Sequence, residues 1–164
     1  MKRIVFLMIV LSVIYAALFS EKARLDREVD RLCAIDGGIR VYKTVTLPPD
    51  MFNDRGEVIF YQSDQKIEES LGPKYIFKWD VHYYKKGDPA ANGPQETVMK
   101  RTHIKIIRKA DIKLLGEFVL YSRGGGDLPG PWVPSSYQCP SVIEANSTIL
   151  IKKIFIKSIE EQQE

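Results

Sequence analysis

The stretch TVMKRTHIKIIRKADIKLLGEFVLYSR, residues 97–123, decides the fold class. It contains two long runs rich in β-branched and alternating residues, Thr97 to Arg108 and Ile112 to Arg123, separated only by Lys109, Ala110 and Asp111. A connection this short between two such runs predicts an antiparallel hairpin, because parallel strands need a crossover of a dozen or more residues.

Working outward from the hairpin, Tyr75 to Tyr83 alternates Tyr75, Phe77, Trp79, Val81 and Tyr83 against Lys78, Asp80 and His82, the period-two pattern of a half-buried strand. Ile39 to Thr46 and Glu57 to Gln62 read as further strands, the first stopped by Pro48 and Pro49 and the second following a turn at Asn53 to Gly56. Asp64 to Leu71 reads as a short helix and Ser147 to Ile156 as a last strand. Lys85 to Gln95 and Gly124 to Pro140 read as loops, the second long enough to expect either a task or a tie.

Glu21 to Ala34 carries Leu25, Val29, Leu32 and Cys33 at i, i+4, i+7 and i+8 among charged neighbours, which predicts a helix with one narrow docking stripe. Asp36, Gly37 and Gly38 end it, glycine being the least strained residue in the left-handed turn that closes a helix. The expected fold is α+β: an N-terminal membrane helix, then a helix packed on an antiparallel β-sheet of about five or six strands.

The address comes from the first residues. Lys2 and Arg3 precede sixteen residues, Ile4 to Phe19, of which only Ser12 is polar. That is the layout of an export signal or an anchor; the run is short for a span of about twenty residues and long for a signal-peptide core. Small side chains are poorly placed for cleavage after Ala17 or Ser20, which favours an uncleaved anchor with its two cations on the cytoplasmic side. The expected organisation is residues 1–20 as anchor or signal peptide, 21–159 as one extracytoplasmic domain and 160–164 as a polar tail. The expected location is the cytoplasmic membrane, single-pass with the C-terminal domain in the periplasm, or a secreted or periplasmic location after cleavage.

Of the 24 basic residues two lie in this leader, leaving near balance with 21 acidic ones, so charge supplies no argument for nucleic acid. Cys33 and Cys139 stand near opposite ends of the exported part, and in an oxidising compartment they are expected to form a disulfide.

Chemistry is harder to place. The two histidines, His82 and His103, read as strand residues on polar faces; a metal or proton-transfer site with Asp80 is the alternative, should the strands be neighbours in register. No H-E-x-x-H or G-x-S-x-G pattern occurs in residues 21–164, and Pro129 breaks the phosphate-loop spacing that Gly124 to Gly126 suggest. Trp132 and Tyr137, beside prolines in the long loop, form a candidate platform for a peptide or glycan. Arg101, His103 and Lys105 alternate along one strand, a basic stripe read as a solvated face offset by Glu117, with anionic head groups as the alternative partner. No cofactor is implied.

The segment Cys33-Ala-Ile-Asp-Gly-Gly-Ile-Arg-Val-Tyr42, with Leu47 and Pro48 downstream, resembles the opening of a family of short, uncharacterised bacterial proteins, membrane-anchored or exported, that share C-x-x-D-G-G-x-x-V-Y. The resemblance implies a bacterial envelope protein facing the periplasm and supplies no reaction. The functional expectation is a non-enzymatic, membrane-tethered binding module with an envelope-protein or cell-wall partner; the alternative is a small periplasmic enzyme, metal-dependent through His82, His103 and Asp80.

Overall fold

The computed structural model of the protein describes residues 2–61, 69–87, 95–127 and 133–158, and for 16–20 the backbone alone. Trp132, the tail 160–164 and most of the helix expected at Asp64 to Leu71 lie outside the described residues.

The leader and the first expected helix are one continuous element, α1, Lys2–Asp36. Among the described residues no helix is long and apolar enough to cross a membrane. Seven strands follow among the described residues: β1 Gly38–Val41, β2 Val45–Leu47, β3 Tyr75–Lys85, β4 Thr97–Arg108, β5 Lys113–Gly125, β6 Ser136–Cys139 and β7 Phe155–Lys157. Another α-helix, α2, covers Ser147–Ile154. The main sheet has the order β1-β5-β4-β3, with β6 also paired to β5. This agrees with the expected α+β class and its antiparallel sheet of five or six strands. Strand β5 is long because its outer edge serves two short antiparallel partners in turn: β1 opposite Gly116 to Val119, and β6 opposite Tyr121 to Gly124. A separate parallel pair joins β2 to β7.

The chain divides into two compact units, one formed by Met1–Asp36, His82–Arg101 and Tyr121–Cys139, the other by Gly37–Val81, Thr102–Leu120 and Pro140–Glu164. In the first, Leu25 and Val29 of the predicted stripe are buried, together with Met99 and Tyr121. Cys33 and Cys139 form the expected disulfide, with Cα atoms 5.9 Å apart.

The second unit holds the main apolar core, where Ile104, Ile106, Leu115 and Phe118 of the sheet meet Leu150, Ile151 and Ile154 of α2. Gly116 permits this packing: a Cβ there would lie 2.8 Å from the Arg40 carbonyl oxygen and 2.9 Å from Ile154 Cδ1. No side chain of any size fits that position without moving one of them.

Three sequence expectations are corrected. Ser147 to Ile156 is not a strand but α2 followed by the three-residue β7. Its β-branched composition suits a strand, yet Asn146 caps a helix by accepting from the Ile149 N–H at 2.9 Å, and Leu150, Ile151 and Ile154 then fall on one buried face. Glu57 to Gln62 forms no strand among its described residues; Val58 makes only an isolated bridge to Phe52. The preceding turn is as expected, with Asn53 Oδ1 accepting from the Arg55 and Glu57 N–H groups. The loop from Gly124 to Pro140 contains β6, because the β5 edge beyond Val119 offers unpaired backbone groups that Ser136 to Cys139 satisfy.

Candidate interaction surface

Strand β3 departs most from its sequence reading. Tyr75 and Phe77 are buried as the alternation predicts, but every residue from Lys78 to Tyr84 is exposed, on both faces of the strand. Trp79 and Tyr83 are each 47% exposed and Val81 40%. The apolar core includes Tyr75 and Phe77, and the next three alternate positions lie outside it, each about half exposed. β3 is also terminal in the sheet order, so its outer edge has no strand partner among the described residues. The result is a half-exposed aromatic strand whose outer edge is unpaired among the described residues, the element that soluble proteins usually cover or blunt.

Lys85, at the end of β3, pairs with Glu21 of α1, while the charged residues of the exposed run have partners within the strand. Lys78 Nζ lies 3.6 Å from Asp80 Oδ2, and the His82 ring meets Tyr84 edge-on with centroids 4.9 Å apart. Among the described residues no three His, Cys, Asp or Glu side chains gather to hold a metal ion, so the structure does not assemble His82, His103 and Asp80 into a centre.

His103 is instead bound to a carboxylate. Its Nε2 lies 2.7 Å from Glu117 Oε2, while Glu117 Oε1 accepts from the Tyr42 hydroxyl at 2.5 Å and from Arg40 Nη1 at 3.4 Å. Burial raises the Glu117 pKa, yet the hydrogen bonds from Tyr42, His103 and Arg40 outweigh it and hold the carboxyl below its usual value. The Tyr42 phenol shifts the other way, raised by its hydrogen bond to the same carboxylate. Glu117 is 9% exposed, and both its oxygens are already in use. The arrangement orders β1 against the sheet and holds no activated nucleophile.

In the other unit Arg101 is tied to a second carboxylate. Asp36, the last residue of α1, accepts from the Tyr121 hydroxyl at 2.6 Å and from Arg101 Nη2 at 2.7 Å, while Arg101 Nε donates to the Tyr121 oxygen at 3.1 Å. Burial and the bond to Asp36 push the Tyr121 phenol far up. Arg101 is therefore ion-paired and His103 hydrogen-bonded to a carboxylate, which corrects the expectation of a solvated stripe; the offset of His103 by Glu117 is as expected.

The long loop has its ends tied. Arg123 is 2% exposed: its Nε and Nη2 meet both oxygens of Asp26, at 2.8 and 3.2 Å, and its Nη1 donates to the Gly125 and Ser135 carbonyls. Lys22 Nζ donates to Asp127 Oδ1 at 2.6 Å, and Asp127 also accepts from the Ser135 N–H and hydroxyl. Tyr137 belongs to β6 and donates to Asp30 of α1 at 2.7 Å, which raises its own pKa. Of the expected ligand platform, Tyr137 is thus tied to α1, and Trp132 lies outside the described residues.

Sequence reasoning missed Asp36, Tyr121 and Tyr42 as network residues. The signal that was present is the pair of acidic or aromatic residues within Cys33 to Tyr42, each of which turns out to have a partner in β5 or β6. No protein-family model, curated protein or solved structure matches this chain.

Proposed function

We propose that the chain is a non-enzymatic, membrane-tethered interaction module whose folded part faces the periplasm of a bacterial cell. The observation that carries this reading is the division of α1 into two halves of opposite character. From Ile4 to Tyr15 every residue is exposed, and the apolar ones occupy all sides of the helix. Such a surface has no stable solution in water and is at home in hydrocarbon. Ser12, its one polar residue, returns its hydroxyl to the Met8 and Ile9 carbonyls at 2.9 Å, which removes the cost of placing it in lipid. From Lys22 onward the same helix is docked by Leu25 and Val29, by ion pairs and by the disulfide.

Ile4 to Phe19 spans about 24 Å at 1.5 Å per residue, short of a bilayer core of about 30 Å. Local thinning and the reach of Lys2 and Arg3 accommodate a deficit of that size. The Cys33–Cys139 bridge supports an oxidising compartment for the folded part. The surface of β3 is where a partner adds, by extending the sheet with main-chain hydrogen bonds. The metal-dependent enzyme has no comparable support, since no ligand set gathers among the described residues.

Fusions at the C-terminus test the location. A periplasm-dependent phosphatase should be active and a cytosol-dependent fluorescent reporter dark, with the protein remaining in the membrane fraction after an alkaline wash. A bright cytosolic reporter, or release by the wash, overturns the tethered periplasmic reading.

A further inference from the structure

We infer that the partner of β3 is a second copy of the same strand, paired antiparallel about a two-fold axis at Val81. This rests on the reading of β3 as the interaction edge. The argument comes from register. A two-fold axis perpendicular to a sheet keeps each side chain on its own face, so residue i must oppose a residue of the same parity. Within the exposed run Lys78 to Tyr84 this leaves three central registers, with the axis at Asp80, Val81 or His82.

An axis at Asp80 sets the two Asp80 carboxylates opposite each other and Lys78 opposite His82, like against like. An axis at His82 opposes the two imidazoles and leaves Asp80, set against Tyr84, with no cation opposite it. Only the axis at Val81 makes every pair complementary: Val81 faces Val81, Trp79 faces Tyr83, Lys78 faces the ring of Tyr84, and Asp80 faces His82 twice, once on each side of the axis. An imidazole N–H can donate to the carboxylate. The same register places the exposed aromatic residues of both copies side by side on one face, where each buries part of the other.

All cysteines among the described residues are bridged, so an introduced thiol reports on the contact alone. In the full-length chain, in membranes or detergent, Val81→Cys should oxidise to a covalent dimer of twice the chain mass. Trp79→Cys and Tyr83→Cys should not do so singly but should cross-link when the two variants are mixed. Charge provides the second readout by sedimentation. Asp80→Lys and His82→Glu should each weaken association about tenfold, and an equimolar mixture of the two should restore it, because the unlike pairs re-form only between different chains.

A monomer at all concentrations with no cross-link at residue 81, or cross-linking that peaks at 80 or 82, overturns the self-pairing. A photo-cross-linker at Trp79 that captures a different protein also overturns it while leaving β3 standing as the interaction edge. Capture of nothing at all overturns both.

Discussion

Cys33, in the last turn of α1, is covalently joined to Cys139, the last residue of β6, across a sequence separation of 106 residues. The bridge joins segments that polar contacts in the same unit also link: Asp30 with Tyr137, Asp26 with Arg123, and Lys22 with Asp127. Closing a loop of this size restricts the unfolded chain, a gain of about 4 to 5 kcal/mol on the chain-entropy account. Replacing both cysteines with serine should lower the unfolding free energy by about that amount. Urea titration of the oxidised and reduced protein measures it, and coincident midpoints would show that the crosslink does not contribute.

Arg123 is buried to 2% exposure and its charge is met by Asp26 through two hydrogen bonds. Asp26→Asn leaves the guanidinium buried without its counter-charge, a loss expected to reach about 3 kcal/mol. The Arg123→Met variant alone, and then combined with Asp26→Asn, completes a double-mutant cycle. A coupling energy near zero would mean that the pair does not anchor β5 to α1.

Asp127 makes stability depend on acid. Burial raises its pKa, but Lys22 and the two Ser135 donors outweigh this and lower it from 3.8 to about 2. A carboxyl whose folded pKa is depressed stabilises the fold above its unfolded pKa, and that contribution fades as pH falls through the folded value. Thermal midpoints should therefore drop between about pH 4 and pH 2. The drop should be visibly smaller in Asp127→Asn, and a profile unchanged by that substitution would separate Asp127 from the acid response.

Ile112 occupies the turn between β4 and β5 with φ +52°, a left-handed conformation that crowds a β-branched side chain. The residue is 72% exposed, so its side chain contributes little packing in exchange. Ile112→Asn, which tolerates this conformation, should stabilise the protein by about 1 kcal/mol. Calorimetry should show a midpoint raised by about 2 to 4 °C, and a fall would indicate that the Ile112 side chain makes a contact the strain is maintaining.

Much of this was readable from residue order. The hairpin of β4 and β5, the end of α1 at Asp36 with Gly38 at φ +104°, and the docking of Leu25 and Val29 all follow from local spacing. Two further features were latent in the residues without being visible as such. Asn146 is a helix cap only because Leu150, Ile151 and Ile154 have a core to enter, and Ser136 to Cys139 is a strand only because β5 presents a bare edge.

The sequence by itself determined the periodic elements, the α+β class and the pairing of the two cysteines, since alternation, charge placement and the count of thiols act over a few residues or none. Tertiary structure alone decided which side of that pattern is covered. It placed Tyr42 and His103 on Glu117, set Tyr121 and Arg101 on Asp36, and left Trp79, Val81 and Tyr83 half-exposed. An alternating strand states only that it has an apolar face; whether that face meets a core, water or another chain depends on where distant segments come to rest.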